Sequence, residues 1–177
     1  ERQAGPHDAE HATAPLTDDT VVVGSGSVDL WIESSTGDTD LEVTISELRP
    51  DGQEMYVQSG WLRASQRSLD PVASTALRPV HTHLEAEAAP LPDGTPELVR
   101  VELFPFAHAF RSGSRIRLTV DAPGGNRPVW EFDTISDGET VTISGGSLAL
   151  PVVPGIDVPA AYPECGTLRG QPCRTAG

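Results

Sequence analysis

Apolar residues in this chain recur at every second position in short runs, and Gly, Pro and Asp separate the runs. Val28, Leu30 and Ile32 alternate with Asp29, Trp31 and Glu33, and Leu41, Val43 and Ile45 with Glu42, Thr44 and Ser46. Val99, Val101 and Leu103 alternate with Arg100 and Glu102, and Ile116, Leu118 and Val120 with Arg115, Arg117, Thr119 and Asp121. Side chains two apart on an extended chain share a face, so each run predicts a half-buried strand. Arg49-Pro50-Asp51-Gly52 has the chemistry of a tight hairpin, across which Met55-Tyr56-Val57-Gln58 pairs back. Trp61 to Arg67 is expected to continue extended, and Trp130-Glu131-Phe132 and Val141-Thr142-Ile143 complete the set. No eleven-residue window combines helical spacing with caps. The pattern predicts an all-β sandwich of two sheets. A jelly roll suits it, because that closure buries both apolar faces and shortens exposed edges. The Pro- and Ala-rich stretch from Asp70 to Pro96 would then be the Greek-key crossing. An immunoglobulin-type sandwich fits the strands as well, without the Cys…Trp…Cys signal of antibody domains.

At 177 residues the chain accommodates one domain with a real core. Residues 1–19 are polar without periodicity and read as an arm, with order expected from about Thr20. Residues 20–150 form the sandwich, and 151–177 are a Pro- and Gly-rich tail. The net charge of -14 excludes a nucleic-acid surface, which needs clustered cations. No run approaches the ~18 apolar residues of a membrane span. The only cysteines, Cys165 and Cys173, lie in the tail, where no hydrophobic burial explains a thiol. Their spacing fits no standard zinc site. A disulfide across so short a loop would contribute about 2.5 kcal/mol, and it implies a secreted protein.

Catalytic and metal-binding patterns are weak. Gly145-Gly146-Ser147-Leu148-Ala149 approaches a nucleophile elbow, but Leu150-Pro151 and Pro154-Gly155 follow where an elbow needs a helix. His81-Thr82-His83, Glu87 and Gly94 reproduce most of the first metal-binding motif of cupins, themselves jelly rolls. Imidazoles two apart on a strand face the same way and could share a metal. Thr75 stands where that motif's leading Gly belongs, however, and no second motif follows. Surface imidazoles on a connection are the plainer expectation, so no metal or other cofactor is expected. Asp38-Thr39-Asp40 is likewise a turn before a strand rather than a calcium loop, which needs more hard oxygens. Trp31, Trp61 and Trp130 could form a sugar-stacking platform, or a patch covered by a partner domain. His108, bracketed by Phe104, Phe106 and Phe110, is expected to be a buried, hydrogen-bonded histidine at a strand corner.

Two blocks carry a more specific signal: Gly60-Trp61-Leu62-Arg63-Ala64-Ser65, and Phe104 through Leu118, which begins Phe-Pro-Phe-Ala-His-Ala-Phe-Arg-Ser-Gly-Ser. With Ala14 to Val21, Gly26 to Ile32 and Asp38 to Gly52, they resemble the C-terminal β domain of X-Pro dipeptidyl-peptidase-like serine hydrolases. That family includes cocaine esterase and the α-amino-acid ester hydrolases. The resemblance runs from about Thr13 to Thr134. It implies a jelly roll of the galactose-binding-domain-like kind, packed on an α/β-hydrolase domain that holds a Ser-Asp-His triad. No triad residue maps onto this chain, so it implies a non-catalytic accessory domain. The catalytic partner would act in cis or in trans, with oligomers possible through the full enzyme. The residues expected at the domain interface are Trp31, Trp61, Arg63, Phe104, Phe106 and His108. A free-standing carbohydrate-binding or cupin-like metal-binding module is the alternative.

Overall fold

Two antiparallel sheets pack face to face in the structure, a computed structural model that describes residues 9–123, 139–165 and 173–176. The strands are β1 (Ala9–Ala12), β2 (Thr20–Ser34), β3 (Asp40–Leu48), β4 (Gln53–Arg63), β5 (Glu97–Phe110), β6 (Arg115–Asp121), β7 (Val141–Ala149) and β8 (Arg174–Thr175). One sheet has the order β1-β6-β3-β4-β8 and the other β5-β2-β7. Among the described strands the chain changes sheet at every step except between β3 and β4. This is the jelly-roll sandwich that the alternation predicts, and the stretch around Asp70 to Pro96 is one of its crossings.

The core forms where the inward faces meet. Val28, Leu30 and Ile32 of β2 and Val99, Val101 and Leu103 of β5 oppose Leu41, Val43 and Ile45 of β3, with Val57 and Leu62 of β4 and Ile116 and Val120 of β6. In β2, β3, β5 and β6 these are the positions that period-two spacing assigns to one face, whereas in β4 a register shift at Val57 brings residues five apart onto the core. Burying each such side chain contributes roughly 1.5–3 kcal/mol.

Three features depart from expectation. The arm is not free: β1 pairs with β6, Ala9 opposite Val120 and Ala12 opposite Arg117, so order begins before Thr20. Strand β4 ends at Arg63, and Ala64–Gln66 is a 3₁₀ turn instead of a continuation to Arg67. The tail is tied to the sandwich by a Val22–Val152 bridge and by β8 on β4. The expected strand at Trp130-Glu131-Phe132 lies outside the described residues.

One irregularity positions the second block. On β5, Leu103 pairs with Gly26 and Phe106 with Gly24, so Phe104 and Pro105 together face the single residue Ser25. This bulge shifts the inward-facing parity. Before it, Val99, Val101 and Leu103 point inward; after it, Phe106 packs on the core and Phe110 is buried in it. Proline, which donates no backbone hydrogen bond, is tolerated at such a position.

Candidate functional site

The first block marks the crossing of the two sheets. Gly60 of β4 lies against the backbone of β5 so closely that a Cβ there would penetrate the carbonyl oxygen of Glu102. Only glycine permits that approach. The next residue, Trp61, faces outward, its ring centre 5.6 Å from that of Phe104 at a 41° tilt. Phe104 is 40% exposed, because the bulge turns it out of the sandwich. Leu62 and Ala64 return to the core. Arg63 clasps Asp40 in a bidentate pair, Nε to Oδ1 at 2.8 Å and Nη2 to Oδ2 at 2.7 Å. The Ser65 and Thr39 N–H groups both donate to Asp38 Oδ1, at 2.7 and 2.9 Å. The two acids of Asp38-Thr39-Asp40 are thus engaged in closing the β4 end.

The second block is equally occupied. His108 Nε2 lies 2.8 Å from Glu47 Oε2, and the Arg111 N–H donates to Glu47 Oε1 at 3.0 Å. The Glu47 side chain is only 1% exposed. Burial alone would raise its pKa. The hydrogen bonds from His108 and the Arg111 N–H outweigh that and hold the carboxyl below the usual carboxylate range. An ionised carboxylate only accepts, so His108 is the donor. Gly113, at φ +83°, turns the chain into β6. Around it Leu16 N–H donates to Ser114 O, Gly113 N–H to Leu16 O, and Ser112 N–H to Asp19 Oδ1. The block therefore grips the segment that leads into β2.

A second buried glutamate anchors the tail. Glu54 accepts from Ser46 Oγ at 2.6 Å and pairs with Arg174 of β8, with Arg117 at 3.3 Å. Burial would raise its pKa, but Arg174 and Ser46 hold it low. Cys165 and Cys173 are joined in a disulfide with a Cα–Cα separation of 5.1 Å. Arg49 stacks on Tyr162 at 4.1 Å and donates to Pro163 O at 3.3 Å.

The six residues expected at an interface thus divide. Phe104 and Trp31 are exposed, Trp31 at 47%, and Trp61 and Arg63 are half-buried. Phe106 packs on the core, and His108 points at Glu47. Trp31 and Phe104 both lie on the outer face of the smaller sheet. By register, however, they are six residues apart along β5, roughly 20 Å, with the crossing between them. There Ala76 O accepts from Ser27 Oγ and Arg100, and Arg78 pairs with Glu102. Trp61 belongs to the other sheet, and Trp130 lies outside the described residues. Ser147 sits within β7 opposite Asp29, with no helix after it. Glu87 accepts from Thr82 and Ser68, and among the described residues no three His, Cys, Asp or Glu side chains could hold a metal together. The sequence reading missed Glu47, although a signal was present. Glu47 shares parity with Leu41, Val43 and Ile45, and a carboxylate on a core face requires a buried partner.

Residues 1–143 match the family model described as the X-Pro dipeptidyl-peptidase C-terminal non-catalytic domain. The chain belongs to this family. A Mycobacterium bovis protein assigned by inference as a serine esterase is 30% identical over 112 residues, and so is its Mycobacterium tuberculosis counterpart. That alignment covers 62% of this chain and 18% of the relative. A CocE/NonD family hydrolase from Staphylococcus aureus superposes with a TM-score of 0.69 at 26% identity, over 82% of this chain and 30% of that one. An α-amino acid ester hydrolase shares the fold at a TM-score of 0.61 and 18% identity, over 84% of this chain and 26% of the other. The chain therefore spans less than a third of each of these relatives. As a member of the X-Pro dipeptidyl-peptidase C-terminal domain family, it is an accessory domain. The conspicuous residues of both blocks accordingly build sheet crossings, turns and buried pairs.

Proposed function

We propose that this chain serves a serine hydrolase, a peptidase or an esterase, by packing on its α/β-hydrolase catalytic domain in cis and shaping access to the active site. The docking face is the one that carries Trp61 and Phe104. The observation that carries the reading is the position of Phe104: a phenylalanine that the bulge directs outward, 40% exposed and paired with a second aromatic. Aromatic side chains in such settings anchor interfaces. The family match and the small share of each relative that the chain spans support a catalytic partner outside these residues. The tail disulfide supports action in an oxidising, extracellular compartment.

The direct test is hydrolysis. The pure chain should turn over a nitrophenyl ester no faster than buffer. The whole protein should label with a fluorophosphonate on a serine outside these residues. Hydrolysis by the chain alone that disappears in Ser147→Ala would overturn the proposal.

A further inference from the structure

The crossing between β4 and β5 holds a pair of histidines that the accessory role does not use. Their support is well fixed. Residues 68–70 run against 80–82 through a Leu69–His81 bridge, with Thr82 N–H donating to Ser68 O and Asp70 N–H to Val80 O. Asp70 Oδ1 accepts from the N–H groups of Val72 and Ala73, and Ser74 Oγ donates to Val80 O. Three observations converge on the pair. The ring centres of His81 and His83 are 5.7 Å apart, tilted by 49°. His81 Nε2 is buried and has no hydrogen-bond partner, an expense that native structures rarely leave uncompensated. His83 has φ +51°, alone in the left-handed region among the described non-glycine residues, and such strain gathers where a side chain must be aimed.

We propose that His81 and His83 form a two-imidazole site for a divalent late transition metal. A metal ~2.0–2.1 Å from one nitrogen of each ring places the ring centres roughly 5–6 Å apart, which is the separation found. Imidazole nitrogen suits zinc, nickel and copper, while calcium and magnesium prefer oxygen. Arg100, the nearby guanidinium, is paired with Asp29 at 2.9 Å, and Glu87 accepts from the Thr82 hydroxyl at 2.7 Å. With two protein ligands the site is an exchangeable one.

The experiment is a titration of the chelator-stripped full chain with Zn(II) alone, followed by calorimetry. Binding of about one equivalent is expected, weakened at least roughly tenfold by His81→Asn or by His83→Gly. His83→Gly also relieves the left-handed backbone, so it should melt no lower than the parent while losing the metal. A second arm needs no variant: substoichiometric Cu(II) should broaden the ring signals of His81 and His83 together in an NMR spectrum, before those of His7, His11 or His108. No binding below millimolar zinc overturns the proposal. So does binding that survives the double substitution, or copper broadening that begins at another histidine.

Discussion

Single residues in the two blocks act through backbone approach and buried charge. Gly60 is the clearer case, because the neighbour a new Cβ would meet is a backbone carbonyl that cannot rotate away. Gly60→Ala should cost about 4 kcal/mol or more, at the severe end for one substitution. Thermal unfolding of the purified variant, or its failure to accumulate as folded protein, checks this. Gly52, where a Cβ would meet nothing, is a control for handling, although its φ of +79° adds a smaller local cost. Glu47 gives a prediction with a pH axis. Its folded pKa is below the unfolded value, so its contribution is complete above about pH 4.5 and is lost as the pH falls through the folded pKa. Glu47→Gln should cost about 1.5–3 kcal/mol at neutral pH, the range for hydrogen bonds to a charged group. The gap between parent and variant should close toward pH 3. Urea titrations at pH 7, 5, 4 and 3 read both effects, and a gap that widens on acidification would contradict them.

At the scale of elements, the long strands were legible because one face of each is apolar and the other polar. Runs such as Val28-Leu30-Ile32 and Val99-Val101-Leu103 state their own orientation. Strands β1 and β8 were not legible, because Ala9–Ala12 and Arg174–Thr175 lie at sheet edges and bury little. Nothing in a two- or four-residue polar stretch distinguishes a paired edge from a loop. The bulge at Phe104-Pro105 was hidden for another reason. Its effect is a change of parity, visible only once Phe106 and Phe110 are seen packed on the same core as Leu103. Likewise the partner of His108 lies on another strand, so the histidine alone predicts burial but not Glu47. The tail, by contrast, announced its disulfide through composition. That bond closes a short loop just before β8, whose two residues pair with Gln53 and Glu54. Cys165→Ser with Cys173→Ser should release about 2.5 kcal/mol of constraint, mostly locally. Amide exchange at Thr175 and Ala176 should accelerate strongly, while the amides of Val28 to Ile32 keep their protection. Equal acceleration in both places would mean that the tail is integral to the sandwich.

For the whole molecule, the question is which surface a second domain would cover. The outer face of the smaller sheet carries an exposed aromatic at each end, Trp31 and Phe104, with the crossing between them. Among the described residues Trp31 stands alone beside Gly145, where a side chain would find open space. Phe104 has Trp61 as a neighbour, and an aromatic pair at this spacing contributes about 0.5–1.5 kcal/mol beyond its buried area. A preformed pair loses less side-chain freedom on docking than a solitary ring, which favours the Phe104 end as the anchor. The two ends separate experimentally. In the isolated chain, Phe104→Ser removes a partly exposed side chain and its contact with Trp61, and should lower stability by about 1–3 kcal/mol. In the protein that includes the catalytic domain, the same substitution should cost about 2 kcal/mol or more of interdomain coupling. Calorimetry would then resolve two separate transitions where the parent shows one, and under the proposed docking kcat/KM would fall. Trp31→Ser should leave both quantities unchanged. If Trp31→Ser uncouples the domains and Phe104→Ser does not, the docking face lies at the other end of the sheet.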